Sequence, residues 1–267
     1  MVARNISEAP ILYEKMGGGE PLLLVHGLLA TGEMFGPVLD AFARHHTVIV
    51  PDLRGYGSSM HLEGPSTVEQ HVRDLIRLLD YLDIRGADVL GYSQGGAVAL
   101  QIVHDHPERV RRLMLVNAFA HNGLTVRERL ENRVSLWALR LLGTGTVARI
   151  AASQVGREGK PLTSEQASRL REMIASCNRK RSVEAMRAMI SFDARPWLEM
   201  IPCPALIIRG SEDTAVPQPH AEMLAGSIPN AQLVVIEGAG HVLVWTHPEE
   251  LVEDVERWLK KPDPARS

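Results

Sequence analysis

Gly91-Tyr92-Ser93-Gln94-Gly95 sets a serine between two glycines. The apolar run Ala87-Asp88-Val89-Leu90 precedes it, and Gly96-Ala97-Val98-Ala99-Leu100-Gln101-Ile102-Val103 follows. Strand, bracketed serine and helix in that order describe a turn that exposes a nucleophile. The turn is so tight that side chains two residues either side of the serine would collide, and glycine has none. The serine stands over a helix N-terminus, whose free N–H groups favour developing negative charge. The bare pattern arises by chance in roughly one chain in ten of this length. The strand before it and the helix after it give it weight.

A serine hydroxyl is a poor nucleophile at neutral pH and needs a base, which in turn needs an orienting acid. On a scaffold of this kind the chain order is serine, acid, histidine. Asp213 lies just past Ile207-Ile208-Arg209-Gly210, and His241 just past Val235-Ile236, within Glu237-Gly238-Ala239-Gly240-His241. Both fall at C-terminal strand ends, where open α/β sheets collect their chemistry. The expected roles are attack by Ser93, proton transfer by His241 and orientation of the imidazole by Asp213. Glu212 is the adjacent alternative acid. Another place for an acid is position 117, after the preceding strand, but that residue is Asn117. A tetrahedral intermediate also needs donors for its oxyanion. The expected ones are the backbone N–H of Gln94, directly after the nucleophile, and that of Leu28, in His26-Gly27-Leu28-Leu29. His26 reads as a structural imidazole bonded to backbone rather than a second base. His61, His71, His220 and His247 are expected to face water, and His121 to lie at the surface.

The elements that must position these groups alternate strand and helix, the mark of a mostly parallel sheet covered on both faces. Pro21-Leu22-Leu23-Leu24-Val25, Thr47-Val48-Ile49-Val50, Leu113-Met114-Leu115-Val116, Ala205-Leu206-Ile207-Ile208 and Leu233-Val234-Val235-Ile236 read as strands beside the one before Ser93. Residues 34–44 and 66–82 read as helices. Ser66 and Glu69 suggest a capping box for the second, with Val68, Leu75, Leu78, Leu79 and Leu82 near one face. A last helix starts near Pro248 and ends near Lys260. Between about Phe119 and Trp197 the rhythm is helical throughout, over 127–142, 164–177 and 182–192, with Thr163 and Gln166 as a second capping box. Gly143-Thr144-Gly145 and residues 156–161 read as connections. The expected organisation is an α/β core, 1–118 and 198–267, with a helical insertion at 119–197.

Composition narrows the function. A net charge of −3 gives no basic footprint, so nucleic acid is not an expected partner. No apolar stretch is long enough to span a bilayer, and the first residues lack a signal peptide's apolar core. The expectation is a cytoplasmic protein with no membrane partner, monomer or homodimer. Cys177 and Cys203 read as two unpaired thiols. No histidine or cysteine spacing suits a metal, so no metal or organic cofactor is expected.

Together these residues resemble the α/β-hydrolase superfamily, from about Ile11 to Leu259. Besides the three catalytic candidates there is Asp52-Leu53-Arg54-Gly55-Tyr56-Gly57-Ser58-Ser59, similar to that family's DxRGxGxS segment. Gly210-Ser211-Glu212-Asp213 with Val216-Pro217 resembles its acid loop, and Gly240-His241 followed by Pro248-Glu249 its C-terminal end. The resemblance implies the α/β-hydrolase fold, with the insertion as a lid over the active site. It sets back members acting on alkyl halides or epoxides, which carry aspartate where this chain has Ser93. C–C bond hydrolases usually have a small polar residue at the position of Leu28. The Leu28-Leu29 pair resembles enzymes of short or medium acyl chains.

Met173, Met186 and Met189, with Leu136, Leu139, Leu141, Leu142 and Ile190, are expected to form an apolar cap. Leu29, Leu139, Met186, Val242 and Trp245 are the expected pocket residues. Methionine adapts to varied apolar shapes. The expected activity is a serine carboxylesterase cleaving small or medium-chain apolar esters through an acyl-enzyme. A lactonase or C–C bond hydrolase with the same triad is the alternative, or a hydrolase-like receptor with little turnover.

Overall fold

The computed structural model describes residues 9–155 and 159–261. Seven strands build one sheet: β1 (Tyr13–Gly17), β2 (Glu20–Val25), β3 (His46–Pro51), β4 (Ala87–Tyr92), β5 (Val110–Val116), β6 (Ala205–Gly210) and β7 (Ala231–Ile236). Their spatial order is β1-β3-β2-β4-β5-β6-β7. Only β1 with β3 pairs antiparallel; the other pairs are parallel. A parallel strand is buried on both faces, which is why β2, β4 and β6 read as continuous apolar runs. β1 escaped the sequence reading, because Tyr13-Glu14-Lys15-Met16-Gly17 is a short edge strand with a charged residue on each face, Lys15 on one and Glu14 on the other.

Helices cover both sides. One face is packed by α2 (Val68–Tyr81), α3 (Gln94–Asp105) and α7 (Gln218–Ser227), through Val72, Leu75, Leu78, Val98, Ile102 and Leu224. The other is packed by α1 (Gly36–Phe42), the short α8 (Leu243–Thr246) and α9 (Pro248–Leu259), through Val38, Phe42, Leu251, Val255 and Trp258. The cap of α2 is Thr67, whose hydroxyl accepts from the Gln70 N–H, and not Ser66 as expected. Ser66 is occupied elsewhere: its Oγ donates to the Arg54 carbonyl.

Between β5 and β6 lie the helices of the insertion, α4 (Val126–Val155), α5 (Ser164–Ser176) and α6 (Arg179–Ser191). The chain leaves and re-enters the core at one place, where Ala194 N–H donates to the Ala120 carbonyl at 2.8 Å and His121 bridges Asp193. The helical path of α4 is broken at Gly143, whose φ 77° and ψ 173° are not helical, so its two halves meet at a kink in the expected connection Gly143-Thr144-Gly145. The box at Thr163 and Gln166 is present in both directions. α6 starts at Arg179, three residues before the expected start, because Asn178 caps it by accepting from the Arg181 N–H. Of the connection expected at 156–161, residues 156–158 lie outside the described residues. No described helix is long and apolar enough to cross a membrane. Cys177 and Cys203 are both buried.

Candidate active site

Ser93 follows the last residue of β4 and caps α3 at φ 53° and ψ −117°. That backbone is strained for a residue with a side chain, and the surroundings enforce it. Ser93 N–H donates to the Val116 carbonyl and its own carbonyl accepts from Gly96 N–H, both at 2.9 Å. A Cβ on Gly91 would strike the Gly95 carbonyl, one on Gly95 the Val25 carbonyl, and one on Gly96 the side chain of Ala118. The glycines are therefore required by contact with the neighbouring strand as well as by the turn.

The base and acid candidates arrive from the adjacent strand ends. Asp213 follows β6 and its carboxylate is fully buried. One oxygen, Oδ1, accepts from the backbone N–H groups of Ala215 and Val216, each at 2.9 Å. The other, Oδ2, lies 2.9 Å from His241 Nδ1. A carboxylate there fixes the proton on Nδ1 and leaves Nε2 as the basic nitrogen. His241 and Ser93 line the same cavity. Glu212 is exposed.

Asn117, one residue past β5, ties these loops together. Its Oδ1 accepts from Gly210 N–H at 2.9 Å, and its Nδ2 donates to the carbonyls of Gly240 at 3.2 Å and His241 at 3.0 Å. It holds φ 46°, a conformation asparagine tolerates better than most residues. The sequence excluded Asn117 as an acid but gave no positive role for it. The available signal was its position at the C-terminal end of a central strand.

His26 is fully buried and bonded on both nitrogens, Nδ1 to the Gly27 carbonyl and Nε2 to the Leu53 N–H, each at 2.9 Å. Burial pushes its pKa down, against the opposing pull of Asp52. A neutral imidazole donating from Nδ1 and accepting at Nε2 suits both partners, the structural reading of this residue. Asp52 braces the same region, accepting from Gly32 N–H at 2.8 Å and Ser58 N–H at 2.7 Å. Arg54 forks onto the buried carboxylate of Asp74, with both contacts at 2.7 Å. The His26–Leu53 and Asp52–Gly32 bonds join the segment 52–59 to the loop carrying Leu28, and Arg54 joins it to α2. Gly27 sits against Ser93: a Cβ there would come within 3.2 Å of the Ser93 Cβ.

Beside Ser93 opens a cavity of about 150 Å³. Leu28, Leu29, Val242 and Trp245 line it, with Met34 from the loop before α1 and Ala151, Leu170, Met173 and Ile174 from the insertion. Trp245 is fixed by its indole N–H, which donates to the Met34 carbonyl at 2.6 Å. The expected pocket residues Leu139 and Met186 are not there. Both are buried in the packing of the insertion against the core, because α5, rather than the first half of α4 or α6, faces the cavity. Gln94 is buried and its side-chain Nε2 reaches the Ala185 carbonyl at 3.4 Å. Leu141 and Leu142, expected in the cap, point outward at 55% and 52% exposure.

Three histidines expected in water are buried. His71 lies on the inward face of α2, with Nε2 at 3.3 Å from Ser66 Oγ; His220 sits 3.4 Å from Glu128; His247 is next to Thr246 Oγ1. Each is a polar residue turned inward by the packing of its element, which a linear reading cannot supply. His61 is exposed, and His121 is half-buried, with Nδ1 at 3.0 Å from the Phe192 carbonyl.

A family model described as the alpha/beta hydrolase fold matches residues 20–248. The chain belongs to the alpha/beta hydrolase family. Over 249 residues it is 30% identical to a protein of Caulobacter sp. strain K31 named "Putative carbamate hydrolase RutD", covering 89% of this chain and 91% of that one. Among solved structures, a thermophilic esterase from Thermogutta terrifontis superposes with a TM-score of 0.83 at 27% identity, over 97% of this chain and 98% of the other. A hydrolase from Pseudomonas aeruginosa PA01 does so with a TM-score of 0.83 at 29% identity, over 94% of each chain. In this alpha/beta hydrolase the strand ends after β4, β6 and β7 carry Ser93, Asp213 and His241, and the one after β5 carries Asn117.

Proposed function

We propose that this alpha/beta hydrolase is a serine carboxylesterase acting on esters with short or medium apolar acyl groups. The observation that carries the reading is the cavity at Ser93 and His241. Among the described residues lining it there is no Asp, Glu, Lys or Arg. A charged acyl group would lose its hydration there without gaining a partner, whereas an alkyl group gains by leaving water. A volume of about 150 Å³ matches that of an engineered apolar cavity that accepts benzene. That is room for an acyl tail of a few carbons.

His241 Nε2 takes the Ser93 proton as Oγ bonds to the ester carbonyl carbon. In this reading the backbone N–H groups of Gln94 and Leu28 donate to the oxyanion. Collapse breaks the bond to the alkoxy oxygen, which leaves with the proton from His241. Water then repeats the sequence, releasing the carboxylic acid and restoring Ser93. Asp213 orients the imidazole and stabilises its cationic form throughout. A carbamate presents the same acyl carbon, so the named relative is compatible with this chemistry; the ester reading rests on the uncharged lining.

The test is multiple-turnover hydrolysis of p-nitrophenyl acetate, butyrate, octanoate and palmitate, beside a p-nitrophenyl carbamate. The expected result is sustained turnover, best with short or medium chains, with palmitate and the carbamate poor. A single burst without turnover, or a preference for the carbamate, would contradict the reading.

A further inference from the structure

The outer face of α4 is apolar and uncovered. Val126, Leu130, Val134, Trp137 and Leu141 are each between 55% and 74% exposed. Their spacing puts them on one side of the helix, with the buried Leu139 on the opposite side. Single exposed leucines need no explanation, but a contiguous stripe does. Five such side chains expose roughly 500 Å² of apolar surface, near the upper end for a monomer's largest patch.

The charge around this stripe is one-sided. Residues 119–197 hold 14 Lys and Arg against 7 Asp and Glu, a net of +7. The rest of the chain holds 15 against 25, a net of −10. Arg133 and Arg140 flank the stripe along one edge, both exposed and with no carboxylate partner among the described residues. Arg140 also lines a surface groove with Arg179, Lys180 and Arg187; the acid there, Glu184, pairs with Arg181 at 3.0 Å.

We infer that this face docks on an anionic lipid surface, with the stripe at the boundary between headgroups and acyl chains and the arginines on lipid phosphates. An amphipathic helix with Trp and Leu on one face and basic residues beside it lies in such an interface. Arginine stems cover apolar surface while their heads reach phosphate, and an anionic leaflet draws in basic side chains. A second copy is the poorer occupant. Pairing through the stripe sets two surfaces of the same sign together, and an antiparallel pairing sets the Arg133 and Arg140 edge against its own counterpart. Docking of this kind needs no spanning helix, so the absence of an apolar span does not bear on it. The same helix contributes Ala151 to the cavity beyond its kink, so docking would bring the roof of the active site to the bilayer.

The experiment is flotation of the full chain with vesicles of phosphatidylcholine alone or mixed with phosphatidylglycerol, read without any turnover assay. The expected result is capture by the anionic vesicles only, release by raised salt, and a blue shift of tryptophan emission that Trp137→Phe removes. Arg133→Glu with Arg140→Glu, and separately Trp137→Glu, should each weaken partitioning roughly tenfold or more. Their melting temperatures should not change; Leu130→Glu serves in place of Trp137→Glu if that variant is destabilised. Lack of capture by anionic vesicles, or equal capture of wild type and variants, overturns the proposal. So does a lipid-free dimer that Trp137→Glu dissolves, which would assign the stripe to a second copy.

Discussion

Asn117 holds His241 by the backbone: its Nδ2 donates to the His241 carbonyl at 3.0 Å, while its Oδ1 accepts from Gly210 three residues before Asp213. One amide thus ties together the loops that carry Asp213 and His241, without touching either side chain. Asn117→Ala is predicted to lower kcat on a p-nitrophenyl ester by roughly tenfold to a hundredfold, because a small misplacement of reacting groups is costly. KM should change little. Removing three bonds to buried backbone should also cost about 1–3 kcal/mol of stability. Asn117→Asp keeps an acceptor for Gly210 but offers oxygen to two carbonyls, so it should not rescue activity. Steady-state kinetics and urea unfolding of both variants check this.

Asp213 and Glu212 are neighbours with different environments, one buried and triply bonded, the other exposed. Asp213→Asn is predicted to reduce kcat by roughly 10⁴-fold, since the amide favours the wrong imidazole tautomer. Glu212→Gln should stay within a few-fold of wild type. Parallel kcat measurements decide it, and a reversed order would move the acid by one residue.

Much of this site was legible because its parts are local. Ser93 is announced by the glycines that its turn demands, and Asp213 and His241 by their places after apolar runs. The pocket was less legible. Leu29, Val242 and Trp245 line it as expected, being sequence neighbours of site loops. Leu139 and Met186 were misplaced because which face of an inserted helix turns to the core depends on long-range packing. The buried His71 and His220 were missed for the same reason. β1 was missed because a short edge strand carries a weak apolar signal.

Buried histidines give the fold an acid limit. His71 is pushed down to about 3, by burial first and then by the nearby His26 and Arg54. Its folded-state value lies below the ordinary 6.5, so the unfolded chain takes up its proton first as pH falls. The stability from keeping it neutral is whole above pH 6.5 and is lost between there and about pH 3. The slope is about 1.4 kcal/mol per pH unit. His220 is shifted the same way by burial. Urea unfolding at about pH 7.5 and about pH 5 should show wild type losing about 2 kcal/mol more than His71→Gln. Equal losses would clear His71 of this role.

Ile174 lines the cavity from α5. Ile174→Trp is predicted to fill much of its volume and cut kcat/KM for p-nitrophenyl octanoate at least tenfold relative to acetate. An unchanged ratio, measured across the ester series, would place the acyl group elsewhere.

Ser93 carries the central claim, and the most direct test is the rate of p-nitrophenyl butyrate hydrolysis by Ser93→Ala beside wild type. The account predicts a loss of about 10⁴-fold or more in kcat, with the melting transition intact. A folded Ser93→Ala enzyme that retains wild-type turnover would contradict it.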